Sequence, residues 1–192
     1  INAIAVSPGD PQLILIGTAT GGIWRSTNGG NSFSPVSDGH ADLAVGAIAF
    51  SQSSPTIAYA AMGDIDNGYF GTGVLKSTDS GATWSRVNNA TFPDRGNSVS
   101  IKIDPSNPNK IYVAMYNFNN AATGGTFGGG IYISSDGGIS WTNPISGGAS
   151  DIAIHPTNPQ IIYAGMRFVF GAGNLPGLYR STNGGSSFTR VY

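Results

Sequence analysis

The 192-residue chain has no cysteine and no glutamate, and its only lysines are Lys76, Lys102 and Lys110. Without cysteine there are neither disulfides nor thiolate metal sites, although this leaves the compartment open. With glutamate absent and lysine scarce, the usual formers of surface helices are missing, which argues against a helical protein. Charged residues make up 10% of the chain, against about 25% in an ordinary soluble domain. The formal net charge is −1 and there is no basic run, so the cationic face that nucleic-acid binding requires is lacking. No apolar stretch reaches the ~18 residues of a membrane helix, and nothing reads as a signal peptide. The chain begins with Ile1 rather than Met, as expected of a processed product or a piece of something longer.

What the chain has in abundance is glycine, 29 residues, and repetition. Four segments share a β-branched run, a Pro-bounded polar turn and a second such run. They begin at Ile4, Ile48, Ile101 and Ile152, with turns ending at Pro11, Pro55, Pro108 and Pro159. This is a hairpin pattern. Each hairpin is followed by Ser-x-Asp/Asn-x-Gly-x-x-Trp/Phe: Ser26, Asn28, Gly30 and Phe33; Ser77, Asp79, Gly81 and Trp84; Ser134, Asp136, Gly138 and Trp141; Ser181, Asn183, Gly185 and Phe188. Four matches in register with four hairpins indicate a structural repeat. In such a motif the Ser and Asp or Asn side chains accept backbone N–H groups of a tight turn, Gly supplies positive φ, and the aromatic folds over the turn. Asn28 and Asn183 hold the position without charge, which favours a turn-stabilising role over a catalytic one.

This motif resembles the Asp box, or bacterial neuraminidase repeat, of β-propellers, and the resemblance spans the whole chain. The stretch Gly22-Ile-Trp-Arg-Ser-Thr-Asn-Gly-Gly-Asn-Ser-Phe33 is similar to the xyloglucanase and sortilin-like members. The resemblance implies an all-β propeller of four-stranded antiparallel blades, four in this chain, at approximately 1–40, 41–92, 93–147 and 148–192. Asp-box propellers generally have more than four blades. The expected outcomes are a segment of a larger ring, a second chain that pairs with this one, or a closed four-bladed ring.

With strands A to D in each blade and the box at the C–D turn, antiparallel pairing puts the A–B and C–D turns at one end and the B–C and D–A loops at the other. From the turn Pro to the box Ser the spacings are 15, 22, 26 and 22, so the B–C loops carry the length variation. Variable loops on a repetitive scaffold are where binding usually resides. The expected ligand-binding residues are Asp64, Asp66, Tyr69, Phe70, Tyr116, Phe118, Arg167 and Phe168. Rings that stack on sugar C–H faces, beside polar acceptors, suit a glycan.

For catalysis, a glycosidase needs two carboxylates roughly 5–9 Å apart. The weak candidates are Asp64, Asp66 and Asp94, with Asp64 or Asp66 paired with Asp42, Asp94 or Asp151 across neighbouring units. Asp64-Ile-Asp-Asn-Gly68 partly resembles a calcium loop but lacks the bidentate acidic partner; no metal site is otherwise expected. Sialidase chemistry is disfavoured, because that family uses an Arg triad, a Tyr and a Glu. The xyloglucanase resemblance implies two Asp in a cleft between two propellers, which one four-blade chain does not form alone. His155 reads as a turn residue, and Asn89-Ala-Thr91 matches a glycosylation sequon.

The reading is an extracellular, secreted or cell-surface, Asp-box propeller segment that acts as a binding or scaffold module, with a glycan as ligand of the B–C and D–A loop face. Whether this chain alone is an enzyme is left open, with a glycoside hydrolase as the activity if it is one. The alternatives are part of a glycoside hydrolase that uses loop Asp residues, and a protein-binding receptor or assembly factor. Its partners are then a glycan or protein ligand, with the remaining blades or a second chain.

Overall fold

A computed structural model of the chain describes residues 1–87, 92–93, 95–116, 128–169 and 175–192, the side chain of Val169 excepted. The described residues form fifteen β-strands and no helix, hence no helix long and apolar enough to cross a membrane. The first sheet is β1 (Ala3–Ser7), β2 (Asp10–Gly17), β3 (Ile23–Ser26) and β4 (Ser34–Pro35). The second is β5 (Val45–Phe50), β6 (Ala58–Met62), β7 (Val74–Ser77) and β8 (Ser85–Arg86). Both are antiparallel in chain order, as consecutive hairpins dictate.

The third and fourth blades share a strand. After β9 (Asn97–Asp104), β10 (Asn107–Tyr116) and β11 (Gly130–Ser134) comes β12 (Thr142–Ile154), whose first part pairs with β11 and whose second part pairs with β13 (Ile162–Val169). The sheet ends in β14 (Gly177–Ser181) and β15 (Thr189–Arg190). The strand turns from one blade into the next at Gly147, whose φ of 147° is open to glycine and strained for other residues. The blade boundary expected at 147/148 therefore falls inside a continuous strand.

The apolar core lies between the sheets. Leu13, Leu15 and Ile23 of the first blade meet Val45, Ile48, Phe50, Met62 and Leu75 of the second. Tyr59 and Val74 of the second meet Ile101, Ile111, Val113 and Met115 of the third. Tyr112, Ile131 and Ile133 of the third meet Ile152, Ile162, Met166 and Tyr179 of the fourth. Alternation along each strand sends successive side chains to opposite neighbours, so strands buried on both faces read as near-continuous apolar runs. The motif aromatics close these junctions: Trp84 and Trp141 are buried in the first and second, and Phe188 packs on the third. Trp84 and Trp141 also donate their indole N–H to the carbonyls of Gly81 and Gly138, at 3.1 and 2.9 Å.

The four motif turns are superimposable in their bonding. Ser26, Ser77, Ser134 and Ser181 donate Oγ–H to Oδ1 of Asn28, Asp79, Asp136 and Asn183 at 2.7–2.9 Å. The same Oγ atoms accept the N–H of Gly30, Gly81, Gly138 and Gly185 at 2.8–2.9 Å. Each motif also reaches its own A–B turn: Gly29, Ser80, Gly137 and Gly184 donate N–H to the carbonyls of Gln12, Thr56, Asn109 and Gln160 at 2.8–3.0 Å. Those four bonds place the Pro turns and the motif turns at one end of every blade. In the fourth blade His155 is a turn residue, its Nδ1 facing the N–H of Asn158 at 3.2 Å.

Candidate functional site

The opposite end carries the B–C and D–A loops. There Thr72 donates its N–H to Asp42 Oδ2 at 2.7 Å, and Gly71 bridges to Gly96. The B–C loop of the second blade closes on itself through the N–H of Asp64 and the carbonyl of Tyr69, at 2.7 Å. Asn97, buried at the start of β9, clamps that loop by donating Nδ2–H to the carbonyls of Asp64 and Tyr69 at 2.9 and 3.0 Å.

Three adjoining cavities open at this end. One, of about 340 Å³, is bounded by Ile65, Asp66, Val99, Tyr116, Ala149, Ser150 and Arg167. A second, of about 250 Å³, shares Ile65, Asp66 and Val99 with it and adds Asn2, Gly46, Asp64 and Ser98. The third, of about 280 Å³, lies under Tyr69 and Phe70 against Thr20, Asp42 and Leu43. A groove of about 430 Å³ runs along the inner strands of all four blades, from Asn2–Ile4 to Ser150 and Asp151. Because it shares Val99 and Ser150 with the largest loop cavity, that cavity sits at the mouth of the groove.

The expected ligand-binding residues separate into three situations. Asp66, Tyr116 and Arg167 border one cavity, with the Arg167 guanidinium 5.2 Å from the Tyr116 ring centroid. Phe168 meets Tyr116 edge-on at 5.8 Å, and its ring lies over Gly148, where a Cβ would come within 2.3 Å. Tyr69 and Phe70 line the neighbouring cavity, with Arg95 stacked 5.2 Å from the Phe70 ring. Asp64 is buried and borders the second cavity but not the first. Phe118 and Asp94 lie outside the described residues, as do Asn89-Ala-Thr91.

The acidic side chains differ in what they have left to offer a ligand. Burial pushes the Asp64 carboxyl up, but donors from the Asn67 and Asn2 side chains and from the Asn67 and Asp66 backbone more than offset it and leave it below the usual carboxylate value. Its oxygens accept from Asn67 Nδ2 at 2.7 Å and from the Asp66 N–H at 2.9 Å. Asp64 thus organises the turn that presents Asp66. Asp42 is similarly engaged, by the N–H groups of Ala44 and Thr72. Asp66 is exposed, and its carboxylate accepts no hydrogen bond from the described residues. Asp151, exposed on the groove, accepts from the Ile152 N–H at 2.8 Å.

Some structural residues were not singled out from the sequence. Ser32, Thr83, Ser140 and Ser187 donate N–H to the motif Asn or Asp at 2.9–3.0 Å. Their signal was visible, since every repeat has Ser or Thr immediately before the aromatic. Asn97 has no counterpart in the repeat, and only the fold reveals its clamp.

No family model matches the chain. It is 31% identical to a xyloglucanase of Hypocrea jecorina (strain QM6a) over 138 residues, 65% of this chain and 15% of that protein. Along its whole length it is 25% identical to a xyloglucanase of Paenibacillus sp, covering 21% of it. The chain therefore spans about a fifth or less of these curated relatives. Among solved structures, a GH74 enzyme of Niastella koreensis superposes with a TM-score of 0.73 at 22% identity, covering 98% of this chain and 29% of that one. The chain is a β-propeller with homology to the xyloglucanases.

Proposed function

We propose that this segment forms the carbohydrate-facing part of a secreted, glycoside-hydrolase-like propeller of the Asp-box type, and that a polysaccharide chain binds across the B–C and D–A loop end. The observation that carries this reading is the meeting of Tyr116, Arg167 and Asp66 around one cavity of about 340 Å³ at the mouth of the central groove. A ring held by a stacked guanidinium gives a sugar C–H face a firm platform, and a solvent-facing carboxylate beside it accepts hydroxyls. The relatives named xyloglucanase make xyloglucan the first substrate to try.

Calorimetric titration of the chain with xyloglucan oligosaccharides tests the reading: saturable binding is expected, and at least tenfold weaker binding for Tyr116→Ala. Silence towards a broad glycan panel, together with capture of a protein partner, overturns it in favour of a receptor or assembly role.

A hydrolytic reading rests on Asp66 and Asp151, which among the described residues are exposed carboxylates around the groove mouth. Release of reducing ends that is abolished by Asp66→Asn while binding survives would assign turnover to this segment. Binding without turnover leaves it a binding module.

A further inference from the structure

The chain contains three Asn-Gly pairs, Asn28-Gly29, Asn67-Gly68 and Asn183-Gly184. They share a backbone shape, since Gly29, Gly68 and Gly184 have φ of 67°, 71° and 68°. All three asparagines are exposed. What differs is how their polar atoms are engaged. In the two motif turns the glycine N–H is committed, that of Gly29 to the Gln12 carbonyl and that of Gly184 to the Gln160 carbonyl, both at 3.0 Å. The asparagine side chains there are held through both ends of the amide. Oδ1 accepts from the motif serine and from the N–H four residues on, and Nδ2 donates to the hydroxyl of Ser32 or Ser187 at 2.9 Å.

Asn67-Gly68, in the B–C loop of the second blade, lacks that protection. Gly68 is exposed, and among the described residues its N–H has no acceptor. The Asn67 side chain makes a single hydrogen bond, from Nδ2 to Asp64 Oδ2 at 2.7 Å, and its Oδ1 accepts nothing from the described residues. The side-chain carbonyl carbon of an asparagine lies within reach of the next backbone nitrogen, and bonding between them closes a five-membered ring. Glycine, which has no Cβ, offers that nitrogen with the least hindrance. The nitrogen must give up its proton and any hydrogen bond it holds, so a committed N–H resists the step and a free one does not.

We propose that Asn67 is a site of spontaneous deamidation, through which the loop that presents Asp66 gains a negative charge as the protein ages. Hydroxide takes the Gly68 amide proton, the nitrogen bonds to Asn67 Cγ, and the Cγ–Nδ2 bond breaks to release ammonia. Water then opens the cyclic imide at one of its two carbonyls, leaving aspartate or isoaspartate at position 67. Either product puts a carboxylate where an amide had donated to the buried Asp64 carboxylate, and like charges at that spacing repel. Isoaspartate also lengthens by one atom a turn whose ends are pinned by the Asp64–Tyr69 bond and by Asn97. The loop beside the Asp66 cavity thus changes charge and path together. The inference is independent of what that loop binds.

Peptide mapping by mass spectrometry of the folded chain, held for weeks in mildly alkaline buffer, tests the proposal. A one-dalton gain is expected at residue 67 at least tenfold faster than at Asn28 or Asn183, whereas in denaturant the three pairs should react at similar rates. Gly68→Ala, whose Cβ would meet nothing within 4 Å, should slow the conversion at least tenfold. Its φ of 71° disfavours a side chain, so Asn67→Gln serves as the second variant should the first fail to fold by circular dichroism. Glutamine keeps the amide but does not form the five-membered ring, and the dominant acidic species that ion exchange resolves from the aged parent should disappear. Folded chain in which Asn28 or Asn183 converts as fast as Asn67 overturns the proposal. So does a dominant acidic species that persists in Asn67→Gln.

Discussion

Asp79 and Asn183 occupy equivalent corners of the second and fourth blades and share both of their Oδ1 bonds, although only one carries a charge and the hydroxyl four residues on donates to Asp79 Oδ2 but accepts from Asn183 Nδ2. Each Oδ1 accepts the hydroxyl of the motif serine, at 2.7 Å from Ser77 and 2.8 Å from Ser181, and the N–H of the residue four positions on. The geometry thus depends on the acceptor oxygen and not on the charge.

The charge nevertheless leaves a pH signature. The Thr83 hydroxyl holds Asp79 at about 2, and the Ser140 hydroxyl holds Asp136 at about 2, from an ordinary value of 3.8. A carboxyl depressed in the folded state adds stability that is complete above its unfolded value and is lost as pH falls towards the folded one. Thermal melts between pH 4 and pH 2 should therefore show a loss that Asp79→Asn with Asp136→Asn makes shallower. An unchanged pH profile in the double variant would contradict this.

The motif serine should matter more than the acid. Ser134→Ala removes the donor to Asp136 and leaves the buried Gly138 N–H without its acceptor at 2.8 Å, a cost of about 1–3 kcal/mol. For a domain of this size that lowers Tm by roughly 2–12 °C. Ser135→Ala, on an exposed neighbour, should shift Tm by less than about 2 °C.

Close approach between the second and third blades makes Gly46 intolerant of a side chain. A Cβ there would fall 1.9 Å from the Ser98 carbonyl oxygen and 2.4 Å from that of Gly63. Backbone atoms of two sheets do not yield as a side chain does, so Gly46→Ala should cost about 3 kcal/mol or more, or prevent folding. Gly39→Ala, where nothing lies within 4 Å of the added atom, should be near neutral in the same denaturation experiment.

At the loop end, Arg167→Ala should weaken glycan binding about two- to fivefold, in line with the ~0.5–1 kcal/mol of an exposed cation–π contact. Tyr116→Ala removes the platform itself and should cost more. Both variants should keep the parent Tm to within a few degrees, because these two side chains line a surface cavity and none of the inter-blade clusters contains them. Equal losses of affinity and stability would point to a structural role.

Much of the fold was legible in the residues. Four Pro turns in register with four Ser-x-Asp/Asn-x-Gly motifs announce four repeated sheets, and parity of antiparallel strands places the two turn types together, as the Gln12, Thr56, Asn109 and Gln160 carbonyls show. The shared strand β12 was not legible, because Ser146-Gly147-Gly148 reads as a loop until both neighbours pair with it. Nor was the clamp by Asn97, a lone amide outside the repeat, whose two acceptors lie 28 and 33 residues away in the chain.

Local chemistry alone determined that this chain makes β-hairpins, that its turns are held by serine with Asp or Asn, and that its apolar residues must be covered by neighbouring sheets. The tertiary structure decided which polar groups remain for a ligand. Asp64 and Asp66 are two residues apart in one loop, yet the first is buried among N–H donors and the second is exposed at the cavity. That choice depends on the path of the loop backbone beneath Asn97 and Gly96, partners brought there by the packing of the next blade.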